Sequence, residues 1–191
     1  MLSNLHLKQR GVSLIELLVA LIVLSVGMLG MASMEIQAKR LAFDAAQRSQ
    51  AVALANDMFE RMRGNPTVLA NYVVNNLGGG SIGTEPSPNC KSAGCDEAQL
   101  AAHDLWEWEQ ALDGAAETIT SGGVTTPVGG LVSPRACITN TNGYVELIIV
   151  WQGRDETQNP SGSTCGAGLG LYGTNDASRQ KLEINTFIDE V

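Results

Sequence analysis

Histidine is scarce in this 191-residue chain, which holds only His6 and His103, and no two cysteines stand in C-x-x-C spacing. A tetrahedral metal centre therefore has no local framework. His103 and Glu107 are four residues apart, a single pair that makes a weak metal site and no proton relay. We read His103 as a surface residue. Ser13 lies in an apolar run, and Ser161 and Ser163 lie in a glycine-rich stretch. None of them sits in a nucleophile elbow. The triplet Gly78-Gly79-Gly80 is followed by no Lys-Ser/Thr pair and preceded by no strand pattern, so it is no phosphate loop. We read it as a flexible turn. Basic residues are few as well, 12 against 20 acidic, and form no patch. That excludes nucleic-acid binding, which needs Lys and Arg to neutralise phosphates. Catalytic residues, metals and cofactors are not expected.

What is present begins with Lys8-Gln9-Arg10-Gly11, followed by an apolar run from Val12 to Met34 with one ionisable group, Glu16. A secretory signal places its apolar stretch before the cut. Here the candidate cut at Gly11/Val12 comes first, so the mature chain keeps the apolar segment. Removing residues 1–11 takes away Lys8 and Arg10 and leaves 10 basic residues against 20 acidic, a net charge near −10. As a helix, Val12–Met34 rises about 34 Å, enough to span a bilayer. Lys39 and Arg40 beyond it balance Lys8 and Arg10 before it, so the positive-inside count is a tie. The short leader, and cysteines suited to an oxidising compartment, set the amino terminus inside and the remainder outside.

Glu16 is the anomaly of that run. A carboxylate within an apolar span costs on the order of 3 kcal/mol and marks function unless it lies at the interface. Cleavage after Gly11 would give Val12 a cationic amine four residues earlier, on the same helix face. That amine, or the one of a neighbouring subunit, can pair with Glu16.

Helical signals continue past the apolar run. Leu41, Ala45, Val52, Ala55, Phe59 and Met62 form one apolar stripe, with Arg40, Asp44, Gln47, Arg48, Asn56, Asp57 and Arg63 opposite. Gly64 and Pro66 end it. The spacing predicts a helix from Val12 to about Arg63, with Gly27 and Gly30 its weakest positions. Residues 65–95 read as irregular. Asp96 and Gln99 predict a capping box for a second helix over 96–112. Ala98, Ala101, Leu105, Trp108 and Leu112 mark its buried stripe, and Glu107, Glu109 and Gln110 its outer face. Beyond Arg135 the period changes to two. A hairpin turns at Asn140–Gly143, Val145, Leu147, Ile149 and Trp151 alternate on one face, and Leu182, Ile184, Thr186 and Ile188 on a later strand. The even cysteine count in an exported part predicts disulfides. Of the three pairings possible, we choose Cys90–Cys95 with Cys137–Cys165. The second closes 27 intervening residues, worth about 3 kcal/mol in the loop-entropy model.

The order basic leader, Gly11, Glu16 and apolar helix resembles the class III leader of type IV pilins and the related pseudopilins; Val12 stands where the family usually has Phe. The segment Asp104-Leu105-Trp106-Glu107-Trp108 is similar to a pattern in the PilV branch of the minor pilins. The resemblance implies an α+β pilin fold, in which a long amino-terminal helix packs on a carboxy-terminal antiparallel sheet with an extra helix between them. Its divisions would be a leader over 1–11, a membrane and filament-core helix over 12–34, and an amphipathic half over 35–64. A head over 65–191 would hold a helix at 96–112 and a sheet at about 135–191. It implies cleavage between Gly11 and Val12 by prepilin peptidase, N-methylation of Val12, and an intersubunit charge pair at Glu16. The implied partners are other minor pilins, the major pilin, the inner-membrane assembly platform and a tip adhesin. The implied location is the inner membrane, then the pilus. A minor pseudopilin of a type II secretion system would share leader and helix, and residues 152–178 are the expected recognition surface in either case.

Overall fold

The computed structural model describes residues 11–115, 117–127 and 129–190, and the main chain alone at Thr126. The chain divides at Ala42/Phe43 into two units. Helix α1, Leu14–Gly64, contributes to both. In the first unit it is unbroken through Gly27 and Gly30, and its apolar side chains are exposed throughout. It includes a window apolar and long enough to cross a membrane.

The second unit is built on the remainder of α1, with a four-stranded antiparallel sheet ordered β1-β4-β5-β6. The strands are β1 (Val74–Leu77), β4 (Arg135–Thr141), β5 (Tyr144–Gln152) and β6 (Arg179–Phe187). Helix α2, Glu97–Asp113, lies between β1 and β4 in sequence. A separate hairpin, β2 (Thr118–Ser121) with β3 (Val124–Pro127), follows it. Asp96 and Gln99 close the capping box at the start of α2, and Gly114 ends it in the left-handed region. β4 and β5 meet through Asn142-Gly143, both at positive φ, the backbone that a two-residue hairpin turn demands.

One core joins these elements. Ala51, Leu54, Ala55, Met58, Phe59 and Met62 of α1 pack with Leu105, Trp108 and Leu112 of α2. The sheet adds Ile138, Val145, Leu147, Ile149, Trp151 and Leu182. The Trp108 indole donates to the Leu54 carbonyl at 2.8 Å, which satisfies a fully buried N–H. On the other sheet face Ile148, Val150, Cys165 and Tyr172 make a smaller core.

Several expectations need correction. Leu41 and Ala45 are exposed, and the working stripe of α1 is Ala51, Leu54, Ala55, Met58, Phe59 and Met62. Gln47, placed on the polar face, is 7% exposed. Its amide donates to the Gly130 carbonyl and accepts from Val132 N–H, so the face turned inward where a loop offered backbone partners. Ala98 is exposed, and Glu109, assigned outward, is 0% exposed. Residues 65–95 are more regular than expected. Pro66–Tyr72 forms a 3-10 segment and Val74–Leu77 joins the sheet beside β4, with a register shift between those two residues.

Candidate functional site

Of the segment that carries the sequence motif, the described part begins at Gly11; residues 1–10, including Lys8 and Arg10 of the leader, lie outside the described residues. Ser13 stands just before α1, its carbonyl accepting from the Glu16 and Leu17 amides at 3.0 and 3.2 Å. Glu16 therefore lies in the first turn, where the helix dipole favours a negative charge. Among the described residues its carboxylate has no hydrogen-bond or ion-pair partner. Val12, Leu14, Ile15, Leu17 and Leu18 around it are all exposed. The stem thus offers a carboxylate in an uncovered apolar surface, an arrangement that water does not favour.

In the head, α2 is fastened to the end of α1 by a polar cluster. Arg61 donates through Nε to Asp57 and through Nη1 to both Asp104 and Glu107, each at 3.0 Å. Lys91 reaches Glu107 from the small disulfide loop. Tyr72 donates its hydroxyl to the other Asp104 oxygen at 2.7 Å and accepts from Asn65, whose amide also reaches the Glu97 carbonyl. Burial opposes the charge on Arg61, but the bonds to Glu107, Asp57 and Asp104 outweigh it and raise its pKa. Burial, then the bond to Asp104, lifts the Tyr72 hydroxyl above the ordinary phenol range. Burial also pushes Glu107 up, yet Lys91 and Arg61 prevail and hold its carboxyl below the usual value. The pattern Asp104–Trp108 is therefore structural: Asp104 and Glu107 grip Arg61, while Leu105 and Trp108 fill the core.

His103 is a correction. It is 2% exposed rather than on the surface, with Nε2 at 3.2 Å from Glu85 and its ring tilted against Trp106. Glu107 is 4.0 Å from its Nδ1. Among the described residues no three His, Cys, Asp or Glu side chains converge as metal ligands.

The glycine triplet is a second correction. Instead of a loose turn it is a cradle of amides around two carboxylates of α2. Glu109 accepts from the amides of Gly78, Ser81 and Ile82 and from the Ser81 hydroxyl. Asp113 accepts from Gly79 and Gly80. Successive N–H groups of a turn form an anion-binding concavity, here filled by the protein's own side chains. An acid pair at i and i+4 on α2, read together with a glycine run, was the only hint in the sequence.

Disulfides join Cys90 to Cys95 and Cys137 to Cys165. The second ties the 152–178 stretch to β4. From the start of β6, Arg179, almost wholly buried, donates into that stretch, to Asn159 and to the carbonyls of Pro160, Ser163 and Cys165. Tyr172 donates to the Ser133 carbonyl, and burial pushes its hydroxyl up to about 12.

A family model described as the prokaryotic N-terminal methylation motif matches residues 6–32, and one described as type IV pilin Tt1218 matches residues 33–106. In these two segments the chain is similar to type IV pilins. No curated protein and no solved structure matches it. The two matches meet within α1 and together run from the leader into α2, so the stem and, of the clamp, Asp57, Arg61 and Asp104 fall inside them, while Glu107 lies just beyond. The first match covers the leader motif with Gly11, Val12 and Glu16, and the family described by the second is one of structural proteins rather than enzymes.

Proposed function

We propose that this protein is a minor pilin, of the PilV branch, that helps prime assembly of a type IV pilus and so supports twitching motility and adhesion. Prepilin peptidase cuts between Gly11 and Val12, and the new amine of Val12 is methylated. Before assembly the apolar stem holds the protein in the inner membrane, with its head on the periplasmic side. In the filament the stem packs against stems of other minor pilins and the major pilin, and Glu16 pairs with the amine of a neighbouring Val12. The inner-membrane platform drives the transfer, and an adhesin joins at the tip.

The observation that carries this reading is the stem itself. Every large apolar side chain from Val12 to Met34 is exposed, in a helix whose later residues are part of a folded head. Such a surface requires lipid or other helices around it. Amino-terminal mass spectrometry of protein from sheared filaments tests the reading: a chain starting at methylated Val12 is expected. An intact Met1 in assembled material overturns it. Within the pilin family, the pattern Asp104–Trp108 favours PilV. Loss of surface pili on gene deletion is the expected phenotype; intact pili with retained secreted enzymes would move the protein to the type II secretion systems.

A further inference from the structure

Asn142-Gly143 is the one Asn-Gly pair in the chain, and it makes the turn between β4 and β5. The pair suits that turn, since both residues take positive φ, 52° and 81°. It is also the pair most open to attack by its own backbone. Glycine has no side chain to crowd its amide nitrogen, so in a loose chain the Gly143 nitrogen reaches the Asn142 side chain. A bond then forms from that nitrogen to Asn142 Cγ, the bond from Cγ to the side-chain nitrogen breaks, and ammonia leaves. Water opens the cyclic imide at either carbonyl, which gives aspartate or isoaspartate. Nothing is oxidised or reduced, and water is the only co-reactant.

The fold leaves Asn142 exposed but takes hold of its neighbour at both ends. Gly143 N–H donates to Asn140 Oδ1 at 3.0 Å. The Gly143 carbonyl accepts from Ile188 N–H at 2.8 Å, and Ile188 is itself anchored in the main core. A Cβ on Gly143 would lie 2.5 Å from the Ile188 carbonyl oxygen and 3.2 Å from the Phe187 ring, so the end of β6 closes directly on the turn. Asn140 is fixed in its place by donating Nδ2 to Glu190 Oε1 at 2.8 Å. Ring closure requires the Gly143 nitrogen to give up its proton and swing toward Cγ. Here that proton is engaged, and the carbonyl beyond it is pinned.

The turn matters because it sets the centre of the sheet. It fixes the pairing of β4 with β5 from Thr141–Tyr144 to Arg135–Val150, and Ile138, Val145, Leu147 and Ile149 on these strands are core residues. Isoaspartate would put a side-chain methylene into the main chain of a two-residue turn, where loop length determines register.

We infer that Asn142 is a deamidation site that the native fold keeps shut, and that Asn140, by holding the Gly143 N–H, is its guard. The site reacts only when the end of β6 lifts from the turn. The inference concerns the head alone and does not depend on the filament reading.

Full-length protein in detergent, held in mildly alkaline buffer either folded or with denaturant, tests it. The readouts are peptide mass mapping at Asn142 and enzymatic methylation of isoaspartate. Denatured protein is expected to convert steadily, and folded protein at least about tenfold more slowly, because reaction waits on local opening. Asn140→Ala is expected to raise the folded rate about threefold to tenfold, the range that one ordinary hydrogen bond spans, with both disulfides formed and the melting transition kept. Asn140→Asp retains an acceptor oxygen for Gly143 and is expected to stay near the wild-type rate. Equal rates for folded and denatured protein, or no conversion in the denatured chain, overturn the shut site. An unchanged rate in Asn140→Ala, or an Asn140→Asp protein as fast as Asn140→Ala, overturns the guard.

Discussion

The two parts of α1 share one backbone but not one surroundings. From Leu14 to Ala42 its apolar side chains have no cover among the described residues, whereas from Phe43 to Gly64 Ala51, Leu54, Met58, Phe59 and Met62 are buried in a core. A helix apolar on all sides needs lipid or other helices, while one with a single apolar stripe needs only one packed neighbour. The comparison teaches that folding and assembly are separable here. Damage to the stem is expected to change where the protein goes, and damage to the later turns whether the head is stable.

Replacing the stem carboxylate is the sharpest way to probe that separation. Glu16→Ala is expected to be cleaved and to fold, yet to fall at least about a hundredfold in filaments, because the partner's charge is left unmatched. Quantitative blots of sheared pili, beside thermal melting of the same protein, would check both halves. Wild-type incorporation would break the comparison. The opposite result is expected of Trp108→Ala, which empties the middle of the core and removes the indole bond to the Leu54 carbonyl. It should cost about 3–5 kcal/mol in denaturant unfolding, with processing at Val12 unchanged.

A smaller effect within the head comes from Glu109→Gln. The amide offers one acceptor oxygen where the carboxylate serves four donors, so a loss of about 1–3 kcal/mol is expected, with faster hydrogen exchange at Gly78, Ser81 and Ile82. The smallest effect is acid sensitivity at the α1–α2 clamp. The folded protein holds Glu107 below the ordinary 4.5. Its contribution is therefore complete above that value and fades as pH falls through the lower folded one. Glu107→Gln should flatten the decline of head stability below about pH 4.5 in a pH series of melts.

The elements that could be read in the residues were those whose cause is local. The extent of α1, the capping box at Asp96 and Gln99, the stop at Gly114 and the turn at Asn142-Gly143 each depend on neighbours a few residues away. The misplaced residues have partners far off. Gln47 was read as polar surface because the backbone of Gly130 and Val132, its partners, is more than eighty positions later. Glu109 and His103 were set outward because carboxylates and imidazoles usually are. A glycine cradle and Glu85 supply the bonds that make their burial tolerable. The strand Val74–Leu77 has too little alternation to stand out and exists because β4 lies beside it. Ile148 and Val150 were beyond the alternating pattern, since a loop stapled by Cys165 covers the second sheet face.

By itself the sequence determined the stem, the processing motif, the two helices and the main hairpin, since periodicity, capping and turn chemistry act over a few residues. Tertiary structure alone decided which polar groups go inside, what the glycine run holds, and that the end of β6 closes on the main hairpin's turn. Those outcomes turn on hydrogen-bond partners and covering surfaces that chain folding brings together from distant positions.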